Sequence, residues 1–300
     1  MPEFSFESDE IALPGGAWAG THRRRLRLDG QTVLALTQGE FRSYVSPLLT
    51  PAGFAVTAEC PADHPHHSSL WIAADHVNAL VPAGGATEEY TYNFYVNQTF
   101  QGRAPGRILE TSATGAATDG RFEIVQELEW RGPAEWAAGT GRRVARERRT
   151  IAVETGPTRH RIDVTSELAA GDHPLRLGPT RHAYFNVRVA DSLGVANGGV
   201  VRDDRGRTGG AAVSGDGARW VDVTGPVGGR HRAGIAVIPH PDGRPPFWFV
   251  ADWGVVSVGP FRSQPLHLAL GETFRSRHTV LVHDGEPDSA ELERIAAEQE

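Results

Sequence analysis

Arg121-Phe122-Glu123-Ile124-Val125-Gln126-Glu127-Leu128-Glu129-Trp130 is the stretch that decides the fold. Apolar side chains fall mostly on alternate positions: Phe122, Ile124, Leu128 and Trp130. Glu123, Glu127 and Glu129 occupy the positions between, with Val125 breaking the pattern. A period of two belongs to a half-buried β-strand, because successive side chains leave opposite faces. Similar runs recur along the chain, at 25–28, 32–37, 43–49, 70–73, 90–100, 144–153, 159–167, 233–238, 255–258 and 274–282. The 35 Gly and 20 Pro residues punctuate them. Thr118-Asp119-Gly120 carries hairpin-turn chemistry, and Asn197-Gly198-Gly199 and 206–217 read as longer irregular loops. The only credible helix spans about 288–299, where Asp288 can cap and Glu291 falls three residues later, as in a capping box. No repeat and no linker interrupts the chain. The expected fold is all-β, a large two-sheet antiparallel β-sandwich forming a single domain over 1–300.

Composition narrows the chemistry. All 30 basic residues are Arg, which excludes a Schiff-base lysine and a P-loop lysine. A net charge of −7 argues against a nucleic-acid partner. The run Arg142, Arg143, Arg146, Arg148 and Arg149, interrupted by Glu147, reads as a charged strand face. Cys60 stands alone, so no intramolecular disulfide is available. No apolar run approaches a membrane span, and the start of the chain lacks a secretory pattern. The expected location is cytoplasmic.

The chemistry-bearing stretch is Pro61-Ala62-Asp63-His64-Pro65-His66-His67-Ser68-Ser69-Leu70-Trp71. Three imidazoles lie beside a carboxylate, just ahead of an apolar strand. Imidazole titrates near neutrality and suits general acid–base work. Pro65 favours extended backbone at His64. In an extended segment His64 and His66 face one way and His67 the other, unless a bulge at Ser68-Ser69 turns both His66 and His67 inward. His66 and His67, which lead directly into the strand, are expected to matter more than His64, one as catalyst and the other held by a structural hydrogen bond. The bland alternative is loop histidine of no chemical consequence.

A second candidate is Gly178-Pro179-Thr180-Arg181-His182-Ala183-Tyr184-Phe185-Asn186. On a strand His182, Tyr184 and Asn186 share one face, where they could hold a polyol. They are expected in one cleft with the histidine cluster, side-chain tips within roughly 10 Å so that a sugar ring fits between groups that each hydrogen-bond at ~3 Å. Asp63 could orient an imidazole. Asp75, His76 and Asn78 follow the 70–73 strand and could line the same mouth. Trp248, Trp253 and Phe261 could offer a stacking surface, with core packing as the default. His240 reads as a turn residue.

In these residues the chain resembles the methane oxygenase PmoA-like family. The resemblance covers about 41–285. It is carried by Ser46-Pro47-Leu48-Leu49-Thr50-Pro51-Ala52-Gly53, by 61–67 and by Ala218-Arg219-Trp220-Val221-Asp222-Val223-Thr224-Gly225-Pro226. Gly234-Ile235-Ala236-Val237, His240-Pro241 and Gly259-Pro260-Phe261 complete it. The label is not literal, since a methane oxygenase subunit needs spanning helices. The resemblance implies a galactose-mutarotase-like supersandwich that binds carbohydrate in a cleft on one sheet. Two departures surround the site: Arg181-His182-Ala183 replaces Lys-Glu-Gly, and Ser68-Ser69 replaces Arg-Gly. The segment 182–186 is similar instead to the His-x-Tyr-Phe-Asn of aldose 1-epimerases.

Three functions compete. The first is an enzyme acting on a sugar or keto-glycoside by histidine acid–base catalysis, through epimerisation, β-elimination or hydrolysis, with His64, His66, His67 and His182 as the imidazoles and no cofactor. The second adds a divalent metal on His64, His66 and His67. The third is a non-catalytic carbohydrate-binding protein. In each the partner is a small carbohydrate or glycoside, and the oligomeric state is open.

Overall fold

The computed structural model describes residues 3–9, 22–118, 120–136, 138–240 and 243–298. Among these, the strands form three sheets. The nine-stranded sheet runs in the order Phe4–Ser8, His22–Leu28, Gln31–Gln38, Ser43–Leu48, Leu70–Ala74, Ala183–Arg188, Val255–Gly259, Phe247–Ala251, Gly215–Asp216. The eight-stranded sheet runs Val200–Asp203, Val221–Gly228, His231–His240, Thr273–Asp284, Arg159–Ala170, Arg143–Thr155, Arg121–Arg131, Arg107–Thr118. A smaller third sheet holds Leu266–Leu268, Leu175–Leu177, Val77–Ala83, Ala86–Asn93 and Ala104–Pro105, the last pair being parallel. The large antiparallel sandwich expected from alternation is present, with its ladders divided three ways instead of two. No described helix is long and apolar enough to cross a membrane.

The strand Arg121–Arg131 shows why alternation sufficed. Phe122, Ile124, Leu128 and Trp130 are buried and the glutamates between them half-exposed. Gln126 sits in the apolar row yet is fully buried; its amide donates to Ser43 Oγ at 2.9 Å and to Glu110 Oε2 at 2.7 Å. A buried amide is tolerated only when bonded in this way. The hairpin closes between Thr118 and Arg121 with Gly120 at φ +82°, a left-handed value that glycine adopts without strain. Asp119 lies outside the described residues.

The arginine run is a charged face only in part. Arg146 and Arg148 are exposed, but Glu147 and Arg149 point inward and pair at 2.8 Å. Glu147 also accepts from Trp130 Nε1 and Ser166 Oγ. The segment 206–217 is not wholly irregular, since it contains the helical turn Gly210–Val213 and the short strand Gly215–Asp216.

The C-terminal helix spans Ser289–Ala297; position 299, included in the sequence reading, lies outside the described residues. Leu292, Ile295 and Ala296 pack on Trp220, Ala236, Ile238 and Leu281, forming a second core on the outer side of the eight-stranded sheet. Asp288 accepts from Ala290 N at 3.0 Å and Glu291 N at 3.3 Å, while Glu291 itself meets Arg159 and Arg294. Asp288→Ala is expected to cost about 1 kcal/mol, the usual worth of an N-cap. Urea unfolding of the two proteins measures this; equal midpoints would remove the cap's role.

Candidate active site

The segment before Leu70–Ala74 is a pair of turns and not the extended run that Pro65 suggested. His64 N donates to Pro61 O at 3.1 Å, His67 N to His64 O at 2.9 Å, and Cys60 N to His67 O at 2.9 Å. Ser69 takes φ +61°, an uncommon value for a non-glycine residue, at the place where a bulge was expected. The consequence is that all three imidazoles gather. His64 stacks on His67 with centroids 4.7 Å apart, and His66 stands edge-on to His67 at 4.6 Å. Trp253, 41% exposed, covers His64 at 4.4 Å with the ring planes nearly parallel.

Arg42 holds this turn from below. Its guanidinium donates to His66 O, to Ser68 Oγ at 3.3 Å, to Tyr95 O at 2.8 Å and to Asn97 Oδ1. It is buried, and burial pushes its pKa down to about 10. Tyr95, which the sequence reading did not single out, is the centre of the site. Asn93 Oδ1 fixes its loop by accepting from Tyr95 N and Val96 N, both at 2.8 Å. The Tyr95 ring lies 5.6 Å from His66, 5.8 Å from His67 and 5.2 Å from His182. The one signal for it was the aromatic crowding of Tyr90, Tyr92, Phe94 and Tyr95.

His182 is tied on both ring nitrogens. Nδ1 lies 3.1 Å from Asp75 Oδ2, and Arg181 Nε donates to Nε2 at 3.2 Å. An Nε2 that accepts must be bare, so the proton sits on Nδ1 and is donated to Asp75. Asp75 also accepts from Thr180 Oγ1 and lies 3.8 Å from Arg103. Burial raises its pKa, but the bonds from His182 and Thr180 outweigh this and leave it below the ordinary carboxylate value. Phe249 meets His182 edge-to-face at 5.7 Å and carries Arg181 over its ring at 4.6 Å.

His66 and His67 titrate below ordinary imidazole. Burial, then Arg42 and the neighbouring histidines, lowers His66 to about 4. Burial, then His66 and His64, lowers His67 to about 2. Both are neutral at pH 7. His67 is 2% exposed, with Nε2 at 3.3 Å from the Tyr95 hydroxyl. His66 is half-buried. Asp63 accepts from Arg188 Nη2 at 3.0 Å and meets His64 Nδ1 at 3.0 Å; burial opposes these bonds, but they bring its pKa to about 2. Arg188 in turn lies over Trp253 at 4.9 Å.

Asn186 is buried beneath the site: it accepts at 2.7 Å from Ser257 Oγ, whose hydroxyl also meets the Tyr95 side chain, and donates to the Tyr184 carbonyl. Other expected site residues lie elsewhere. Tyr184 does not share a face with His182: its hydroxyl bonds Ser166 at 2.8 Å inside the sandwich, among Phe261, Phe274 and Trp130. Asn78 spends its amide on Thr91 at 2.7 Å within the small sheet. Trp248 is a core residue whose Nε1 donates to Ala218 O, and Phe261 is likewise buried. Of the three proposed aromatics, only Trp253 faces solvent beside the cluster. Among the described residues no three His, Cys, Asp or Glu side chains converge as metal ligands.

Residues 23–297 match the model of DUF6807, described as a family of unknown function. The matching family is this one and not the PmoA-like family that the sequence resembles. No curated protein matches the sequence. Among solved structures, a putative aldose 1-epimerase from Escherichia coli K12 aligns over 94% of this chain and 99% of its own, at 10% identity and a TM-score of 0.36. The Slr1438 protein from Synechocystis sp. PCC 6803 aligns over 94% and 96%, at 10% identity and 0.32. A putative mutarotase from Salmonella typhimurium aligns over 93% and 97%, at 13% identity and 0.29. Likeness this low leaves the chemistry to be read from the chain's own residues.

Proposed function

From a chain that belongs to DUF6807, a family of unknown function, we propose an enzyme that acts on a sugar or keto-glycoside by histidine acid–base catalysis. One observation carries the reading: a His182 imidazole held by Asp75 and a neutral, half-buried His66 pack on the same Tyr95 ring. Proton transfer at a sugar carbon needs one group to take a proton and a second to give one. His182 acts as the base through Nε2 once substrate displaces the Arg181 N–H that this nitrogen accepts, and Asp75 stabilises the imidazolium that forms when it takes the proton. Neutral His66 keeps one N–H that can hydrogen-bond and polarise the sugar oxygen, and the His182 imidazolium returns the proton. Trp253, 41% exposed, leaves an apolar edge beside the cluster along which the C–H side of a sugar can lie. The reaction class is epimerisation or β-elimination at a carbon acidified by a neighbouring carbonyl, or hydrolysis at the anomeric carbon.

The test is a panel of monosaccharides and glycosides, each with and without prior oxidation to the ketone, incubated in D2O and followed by NMR. Deuterium exchange beside the carbonyl, anomeric exchange faster than the buffer rate, or elimination is the expected result. Ligand-induced thermal shifts with no turnover on any member would replace this reading with a non-catalytic carbohydrate binder.

A further inference from the structure

A hollow of about 420 Å³ shares no lining residue with the histidine cluster and is lined by Arg244, Pro246, Phe247, Arg262 and Gln264 among others. Its size falls in the range of small-molecule sites, ~300–1,000 Å³. Among the described residues the lining contains two guanidiniums and no carboxylate, the reverse of a chain that is acidic overall. Among the described residues neither Arg244 nor Arg262 meets a carboxylate, and Arg262 lies over the Phe247 ring at 5.4 Å. The hollow shares Arg244, Pro246 and Pro260 with an inner recess of about 30 Å³ that reaches between the two large sheets.

The inner end is unusual. His240 Nδ1, Ser276 Oγ and His278 Nδ1 all belong to residues lining the recess, and all three atoms are buried with no hydrogen-bond partner among the described residues. Native proteins seldom leave such groups unpaired. The His240 tautomer follows from its other nitrogen. Thr279 Oγ1 donates to Asp163 Oδ1, so it must accept from His240 Nε2, 2.8 Å away. Burial lowers His240 to about 4, so the ring is neutral and has only that one proton. Nδ1 is therefore a bare acceptor that calls for a donor.

We propose that this edge of the sandwich is a second ligand site, taking a small hydroxylated oxyanion whose hydroxyl enters the recess toward His240, Ser276 and His278 while its anionic group stays on Arg244 and Arg262. Planar guanidinium favours carboxylate and phosphate, and the prolines and Phe247 accommodate the carbon chain. The site does not depend on the acid–base reading, because none of its residues belongs to that cluster.

Isothermal titration of the full chain with D-gluconate, glucose 6-phosphate, glucose and inorganic phosphate tests the proposal. Saturable binding of gluconate or glucose 6-phosphate at least tenfold tighter than that of glucose and of inorganic phosphate is expected; the tighter of the two identifies the oxyanion. Arg244→Met and Arg262→Met, both at exposed positions that leave folding intact, should each weaken it at least tenfold. His240→Phe should do the same, checked for an unchanged melting temperature, whereas His66→Gln should bind as wild type. Absence of binding up to about 10 mM, equal affinity for inorganic phosphate, or undiminished binding by the Arg244→Met/Arg262→Met double variant would overturn it and leave the recess to water, for which ~10–15 Å³ suffices.

Discussion

His182→Gln should lower kcat 10²–10⁴-fold on whatever sugar substrate the panel identifies, the usual worth of one general acid or base. Gln keeps a hydrogen-bonding group near Asp75 but cannot titrate near neutrality. Because His182 is partly exposed at the rim of the site, the variant should melt within a few degrees of wild type. Asp75→Asn is the companion test. It removes the acceptor that keeps the His182 proton on Nδ1, so kcat should fall while KM moves little, and the pH–rate profile should change shape. His66→Gln should also lower kcat, by about 10²–10³-fold, because its amide cannot place an N–H where the fixed ring holds one. His67→Gln should behave differently: its ring is buried and its Nε2 is engaged by Tyr95, so stability should fall more than turnover. Near-wild-type kcat in both His66→Gln and His182→Gln would move the chemistry away from Tyr95 and leave the cluster as a packed surface.

The sequence made the strands legible because burial is periodic. Wherever one face of a strand meets the core, as in Arg121–Arg131, the alternation is written directly into residue type. The histidine stretch was legible for a different reason, since three imidazoles beside an aspartate are rare. Its geometry was not. Whether 61–67 runs extended or turns depends on partners far away, chiefly Arg42, whose guanidinium binds the His66 carbonyl and the Tyr95 loop together. Tyr95 itself was invisible for the same reason. Tyr184 departs from ideal alternation because its strand packs both Tyr184 and Phe185 toward the eight-stranded sheet, on Ser166 and His278, whereas Asn186 bonds Ser257 beneath Tyr95. Asp75 was found by proximity in sequence to the 70–73 strand, yet its true role, orienting His182 across 107 positions, comes only from the fold.

Lowering the pH from 7 to 5 should remove at least about 6 kcal/mol of folding stability. Three buried imidazoles supply that much, His67, His160 and His278, each 5% exposed or less, and the half-buried His66 and His240, lowered to about 4, add to it. Burial lowers the first three to about 2, about 4 and about 3. The sign follows from proton counting. Above pH 6.5 the rings are neutral in both the folded and unfolded chains, so they contribute no pH dependence. Below 6.5 the unfolded chain binds protons and the folded one does not, so stability falls as pH falls, and it goes on falling until the folded pKa values are reached. At pH 5 the gap from 6.5 is 1.5 units, worth ~2 kcal/mol per ring at 1.36 kcal/mol per unit. The total is comparable to the ~5–15 kcal/mol by which domains are stable at all. The carboxylates with lowered pKa, Asp63, Asp75, Glu129 and Glu286, add their losses only at lower pH, near and below the ordinary carboxylate range. The window between 7 and 5 therefore belongs to histidine. Urea unfolding at pH 7, 6 and 5 measures the fall, and His160→Leu isolates one ring. His160 Nδ1 is buried without a partner among the described residues, so the apolar replacement should reduce the slope below pH 6.5 by ~1.36 kcal/mol per pH unit. A wild-type stability that stays level between pH 7 and 5 would mean that these rings accept protons without unfolding, and that the neutral state assigned to the buried histidines, including His67 under the candidate site, is wrong.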